Sequence, residues 1–174
     1  MKEAFTHKSL LILGRGIGQV MFQNNALSGL LMLIGIFLNS WQMGLLAVSG
    51  NIISTSTGRI SGYDRDDIKN GLYGFNGTLV GIAVGVFMHL TVNSLILMAI
   101  ASCASTYIAR FFNMQRMLPG FTTLFILSVW MLLGLCSWLM PDMLLVSDTE
   151  TPASSSINYL QCFSMSIGQV MFQG

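Results

Sequence analysis

Apolar runs of membrane-spanning length alternate with short polar breaks along this chain. A hydrocarbon core about 30 Å thick takes about 20 apolar residues in a helix. The first run is Ile17 to Leu38, with polar residues at Gln19 and Gln23-Asn24-Asn25. After a turn at Asn39-Ser40 comes a second, about Trp41 to Thr57, rich in small residues: Gly44, Ala47, Ser49, Gly50, Ser54 and Ser56. Small residues in a membrane helix predict a face packed against another helix. A third run extends from Thr78 to about Leu90, a fourth from about Val92 to Phe112, and a fifth from about Phe121 to Met140. Leu118-Pro119-Gly120 is the stop and restart before the fifth. Gly77, Gly81 and Gly85 recur every fourth residue and predict one bare face on the third helix. Met1 to Arg15 reads as a short basic leader, too polar for a cleaved signal peptide.

The segment from Arg59 to Lys69 is the one strongly charged stretch, and Asp64-Arg65-Asp66-Asp67 has the acids expected over the positive end of a helix dipole. Directly after it, Gly71-Leu72-Tyr73-Gly74-Phe75-Asn76-Gly77-Thr78-Leu79-Val80-Gly81 packs four glycines, two aromatics and one Asn into eleven residues. Glycine destabilises a helix interior. The pattern therefore predicts a re-entrant half-helix over about 64–77, broken at Gly74-Phe75-Asn76-Gly77. A break at membrane depth is tolerated where it lines a cavity or is buried in protein, which makes it a candidate binding site.

Composition agrees with the pattern. The chain has 174 residues, 53% hydrophobic and 9% charged, with mean hydropathy +0.67. A soluble domain carries about 25% charged residues, so an all-α integral membrane protein is expected. A net charge of +1 gives no basic face for nucleic acid. Placing the N-terminus in the cytoplasm puts Lys2, Lys8, Arg15, Arg59, Arg65, Lys69, Arg110 and Arg116 on the cytoplasmic side, and the acidic segment from Pro141 to Gln161 outside. No ionisable residue falls inside a predicted span, which favours passive flux over proton or sodium coupling. Cys103, Cys136 and Cys162 lack metal-ligand spacing. With no phosphate-binding glycine loop, no HExxH and no GxSxG, neither an enzyme nor a cofactor is expected.

Ile17-Gly18-Gln19-Val20-Met21-Phe22-Gln23 returns letter for letter as Ile167-Gly168-Gln169-Val170-Met171-Phe172-Gln173. The expected organisation is a first transmembrane repeat over 1–148, a linker over 149–160 and the start of a truncated second repeat over 161–174. An odd number of spans inverts the second copy relative to the first and places the site at the repeat interface.

Gly18-Gln19-Val20-Met21-Phe22-Gln23-Asn24-Asn25, the stretch from Gly71 to Gly81, and Leu118-Pro119-Gly120-Phe121-Thr122 together resemble the urea transporter family over essentially the whole chain. The resemblance implies an inverted-repeat fold with five transmembrane helices and one re-entrant helix in each half. It also implies a homotrimer in the cell membrane and passive, channel-like conduction of urea. By position, Gln19 matches a Gln at the mouth of the filter, and Phe22, Phe75 and Leu79 match the apolar slot around urea. Thr122, with Thr123 as the alternative, matches a pore-lining Thr; the family often has Pro two residues after it, where this chain has Leu124. Gln169 and Phe172 match the start of the second half. The chemistry fits: urea is a neutral plate that needs flat apolar walls and a line of acceptors such as the carbonyls of a helix break. A channel for another small neutral solute, such as a short amide or ammonia, and a non-conducting membrane scaffold are the alternatives.

Overall fold

A computed structural model describes the backbone of residues 2–115 and 123–145 and the side chains of 8–112 and 126–145. The described residues form helices α1 (Lys2–Gly18), α2 (Ala26–Asn39), α3 (Trp41–Ile60), α4 (Arg65–Lys69), α5 (Gly74–Phe87), α6 (Val92–Gln115) and α7 (Thr123–Leu139). Short 3-10 turns follow α1 at Gln19–Met21 and α7 at Pro141–Met143. Among the described residues there is no strand, only an isolated bridge between Met88 and Leu144.

Local chemistry explains most of the helix ends. The Asn25 side chain accepts from the Leu27 amide at 2.9 Å and starts α2. Ser40 ends α2 and starts α3, its hydroxyl accepting from the Met43 amide at 3.3 Å. Asp64 caps α4 by accepting from the amides of Asp66 and Asp67. Before α6, Thr91 and Ser94 cap each other reciprocally: the Ser94 hydroxyl accepts from the Thr91 amide at 2.9 Å, and the Thr91 hydroxyl from the Ser94 amide at 3.2 Å.

The first predicted span is not continuous. The leader is helical from Lys2 and joins the apolar run as α1, and the chain then breaks between Met21 and Ala26. Lys8–Met21 and Ala26–Asn39 meet at a bend of 75°. The cause lies in the polar residues read as a span's beginning: Phe22 takes left-handed backbone at φ 56°, and Asn25 turns extended to cap α2. The second break also moves. Gly74, Phe75, Asn76 and Gly77 are helical, and the interruption lies at Asn70–Tyr73, where Gly71 has φ +77°.

Gly74 and Gly77 serve close packing instead. A side chain on Gly77 would collide with the Gly50 carbonyl and the Ser54 hydroxyl, and one on Gly81 with the Leu46 carbonyl. The helices α3 and α5 thus meet backbone to backbone along the predicted bare face. Val92–Phe112 within α6 is the one helix among the described residues long and apolar enough to cross a membrane by itself; the bent pair formed by α1 and α2 passes the same test when taken together. The main core joins Leu46 of α3 and Phe75, Leu79 and Val84 of α5 to Met98 of α6 and Val129 and Leu132 of α7. A second, smaller cluster gathers Ile12, Tyr63, Ile68, Tyr73 and Ala109. There the Arg110 guanidinium lies 5.3 Å from the centre of the Tyr63 ring, a cation–π distance.

Candidate functional site

Of the candidate residues, Gln19 lies in the 3-10 turn after α1, Phe22 directly follows it, and Phe75 and Leu79 lie in the first half of α5; the structure brings these elements together. Arg15 Nη1 donates to the Lys69 carbonyl at 3.2 Å, Gln19 Nε2 to the Asn70 carbonyl at 3.1 Å, and Asn24 Nδ2 to Asn70 Oδ1 at 3.1 Å. Three donors from the α1 side therefore hold the turn between α4 and α5. Gly71 completes the joint, since a side chain there would strike the backbone of Arg15 and Gly16.

Phe75 and Leu79 lie one helical turn apart on α5 with 8% and 4% of their surface exposed. They share the main core with Val20 of the 3-10 turn and with Ile126 and Val129 of α7. Phe22 stands differently, 62% exposed on its left-handed backbone. Gln19 is half-buried, and its side-chain amide spends one donor on Asn70. Thr122, Gln169 and Phe172 lie outside the residues whose side chains are described, as does Thr123.

The carbonyls expected to be freed at Gly74–Gly77 are not loose in this way: α5 is already helical there, and the Gly74 carbonyl also accepts from the Thr78 hydroxyl at 3.0 Å. In place of a broken backbone, a buried polar cluster sits behind Phe75. Asn51 Nδ2 donates to Thr78 Oγ1 at 2.9 Å and to the Leu13 carbonyl at 3.3 Å, while Thr55 Oγ1 donates to Asn51 Oδ1 at 3.2 Å. Gly16 and Gly74 leave the room this amide occupies, since side chains on either would overlap it. One residue thus ties α1, α3 and α5. A second polar seam runs to α6, where the Ser54 hydroxyl donates to the Ser102 carbonyl at 2.8 Å. Asn76 is fully buried, and neither atom of its side-chain amide has a hydrogen-bond partner among the described residues.

Sequence reasoning missed Asn51, Thr55 and Thr78 as a unit. The available signal was an Asn in the middle of an apolar run, and it names no partner. The arrangement as a whole is an uncharged interior: every residue of α5 from Gly74 to Val84 is buried and none is ionisable. Such a wall can present apolar faces and amide or hydroxyl dipoles to a neutral polar solute, but offers no fixed charge to an ion.

Comparison with known proteins agrees in one direction. A family model described as "Urea transporter" matches residues 10–174. The chain is similar to Urea transporter 1 of Mus musculus, 41% identical over 75 residues, which span 43% of this chain and 20% of the mouse protein. It is similar to Urea transporter 1 of Rattus norvegicus at 42% over 73 residues, and of Ovis aries at 40% over 73 residues; each match spans 42% of this chain and 19% of the relative. The matched region thus spans about a fifth of the length of these curated relatives. With a family match across nearly all of its length, this chain belongs to the urea transporter family, whose members are membrane transport proteins and not enzymes.

Proposed function

We propose that the protein to which this chain belongs conducts urea passively through a narrow, uncharged filter, and that this chain supplies one wall of it. The observation that carries the reading is the pair Phe75 and Leu79, one turn apart on an α5 that has no ionisable residue between Gly74 and Val84. Two flat or branched apolar groups a turn apart suit the face of a planar solute, and α5 supplies no ionisable group for coupling to an ion gradient. Gln19, Phe22, Phe75, Leu79 and Thr122 line the filter from this repeat, and Gln169 and Phe172 belong to the matching set of the inverted second repeat.

In this reading residues 1–148 are the first repeat, 149–160 the linker and 161–174 the start of the second. The N-terminus faces the cytoplasm, the protein lies in the cell membrane among lipid, and three copies associate as a homotrimer, each with its own pore. The re-entrant element is better placed at α1 than at 64–77. The 75° break after Met21 and the seating of Gln19 against Asn70 support that placement.

Stopped-flow urea uptake into proteoliposomes tests the function, using the protein with both repeats beside Phe75→Trp and Phe75→Leu. Uptake far above empty liposomes, slowed by the larger side chain and retained with Leu, is the expected result. Uptake equal to empty liposomes from folded, inserted protein would leave a scaffold. Equal or faster passage of formamide or ammonia than of urea would reassign the substrate.

A further inference from the structure

Away from the buried interior, a cleft of about 360 Å³ lies between α1 and the ends of α3 and α4. Lys8, Arg15, Arg59 and Lys69 all line it, and no acidic residue does. These cations come from three separate helices, so their convergence is a product of the fold and not of a run in the sequence. Among the described residues only one is compensated: Lys69 Nζ lies 2.7 Å from Asp66 Oδ1, in an exposed pair. Arg15 donates to a neutral carbonyl, which leaves its charge intact. Lys8 and Arg59 have no ion pair among the described residues. Like charges brought to one cleft repel, and an anion seated between them relieves that repulsion.

The apolar surroundings identify the kind of anion. Leu11 and Ile12 form part of the cleft wall. Leu11, 37% exposed, carries that apolar wall out to the surface. A site for a soluble phosphate has no use for such a rim. A phospholipid has both parts, a phosphate for the cations and an acyl chain for the apolar border.

We propose that this cleft binds the headgroup of an anionic phospholipid, with Lys8, Arg15 and Arg59 around the phosphate and an acyl chain leaving along Leu11 and Ile12. The site is separate from the filter and requires only that the chain lie in a membrane, as its family does. Failure of urea conduction would leave it standing. Because Arg15 and Lys69 also fasten α1 to the turn before α5, an occupied cleft clamps the joint that seats Gln19.

Native mass spectrometry of the full protein, released from detergent after equilibration with equal amounts of phosphatidylglycerol and phosphatidylcholine, tests the proposal. Phosphatidylglycerol should be retained at least tenfold over phosphatidylcholine, and an equal concentration of inorganic phosphate should not displace it. The double substitution Lys8→Gln/Arg59→Gln removes two exposed charges that make no side-chain hydrogen bond or ion pair among the described residues and should lower retention by about tenfold or more. The charge-conserving Lys8→Arg/Arg59→Lys should keep it. Equal retention of the two lipids by the unaltered protein would overturn the proposal, as would undiminished binding by the folded double variant. Displacement by inorganic phosphate would overturn it in favour of a soluble anion.

Discussion

Gly50 of α3 and Gly77 of α5 lie face to face, so close that a methyl group on either would collide with the carbonyl oxygen of the other. The contact is reciprocal and involves backbone on both sides, so no rotamer change can relieve it. It sets the distance between the two helices and thereby the depth at which Phe75, two residues before Gly77, meets the core.

Gly77→Ala and Gly50→Ala should each lower stability by about 1–3 kcal/mol, the usual range for overpacking a tight interior. Two controls separate sterics from helix propensity. A side chain on Gly85 would meet the Leu46 methyl Cδ1 at 3.1 Å, which can move aside, and one on Gly35 would meet nothing within 4 Å. Gly35→Ala should be neutral or stabilising by up to about 1 kcal/mol. Denaturant unfolding in detergent micelles ranks the four variants, and a Gly77→Ala protein that unfolds with Gly35→Ala would refute the backbone contact.

Asn51→Leu keeps the volume of the buried amide but loses its bonds to Leu13, Thr55 and Thr78. Thr78 still has the Gly74 carbonyl, but the buried Thr55 hydroxyl loses its acceptor and α1 loses the tie at its Leu13 carbonyl. The expected loss is about 1–3 kcal/mol, concentrated at α1. Hydrogen exchange should therefore quicken in the last turns of α1 more than in α6. Uniform protection across both helices in the variant would show that Asn51 does not anchor α1.

What could be read from the residues alone was what repeats locally. Gly77, Gly81 and Gly85 keep helical spacing, and their face is the one α3 packs against. The harder question was which glycines break a helix and which let one approach. Gly74 and Gly77 are helical because Asn51, Thr55, Gly50 and Ser54 fill the space beside them, and these neighbours lie on another helix. Gly71 breaks the chain because its φ is positive. Both functions use the same residue type, so composition cannot separate them. The polar run Gln23-Asn24-Asn25 was visible, but its meaning depends on Phe22 turning left-handed and on α1 folding against α2 through Gly14, Gly18 and Gly29. The Asn51 cluster joins residues 27 and 38 positions apart, beyond any periodicity.

Gly71→Ala combines two penalties. At φ +77° an L side chain costs about 1–2 kcal/mol by itself, and the added methyl also meets the backbone of Arg15 and Gly16. The variant should be less stable than Gly62→Ala, which shares a positive φ of +68° but has open space around it. It should also push α1 away from the turn that receives Gln19, lowering urea flux by more than its loss of stability explains. Matching unfolding midpoints for the two alanine variants would mean that α1 does not press on Gly71.

The Asp64 carboxyl is held below its ordinary value, chiefly by the amide of Asp67 and then that of Asp66; desolvation opposes them, and the charges of Lys69 and Arg110 add smaller help. A carboxylate whose folded value is depressed contributes stability above its unfolded value and loses it as pH falls through the folded one. The start of α4 should therefore loosen in acid, below the ordinary carboxylate range, while remaining closed at neutral pH. Protection factors of the Asp66 and Asp67 amides report this directly. Asp64→Asn keeps a capping oxygen without the charge and should flatten the Asp64 component of the pH dependence while preserving the helix start. Asp64→Ala should lose protection at every pH. If the acid-induced loosening persists unchanged in Asp64→Asn, another carboxylate controls the end of α4, and Asp66 with its 2.7 Å bond to Lys69 is the next to substitute.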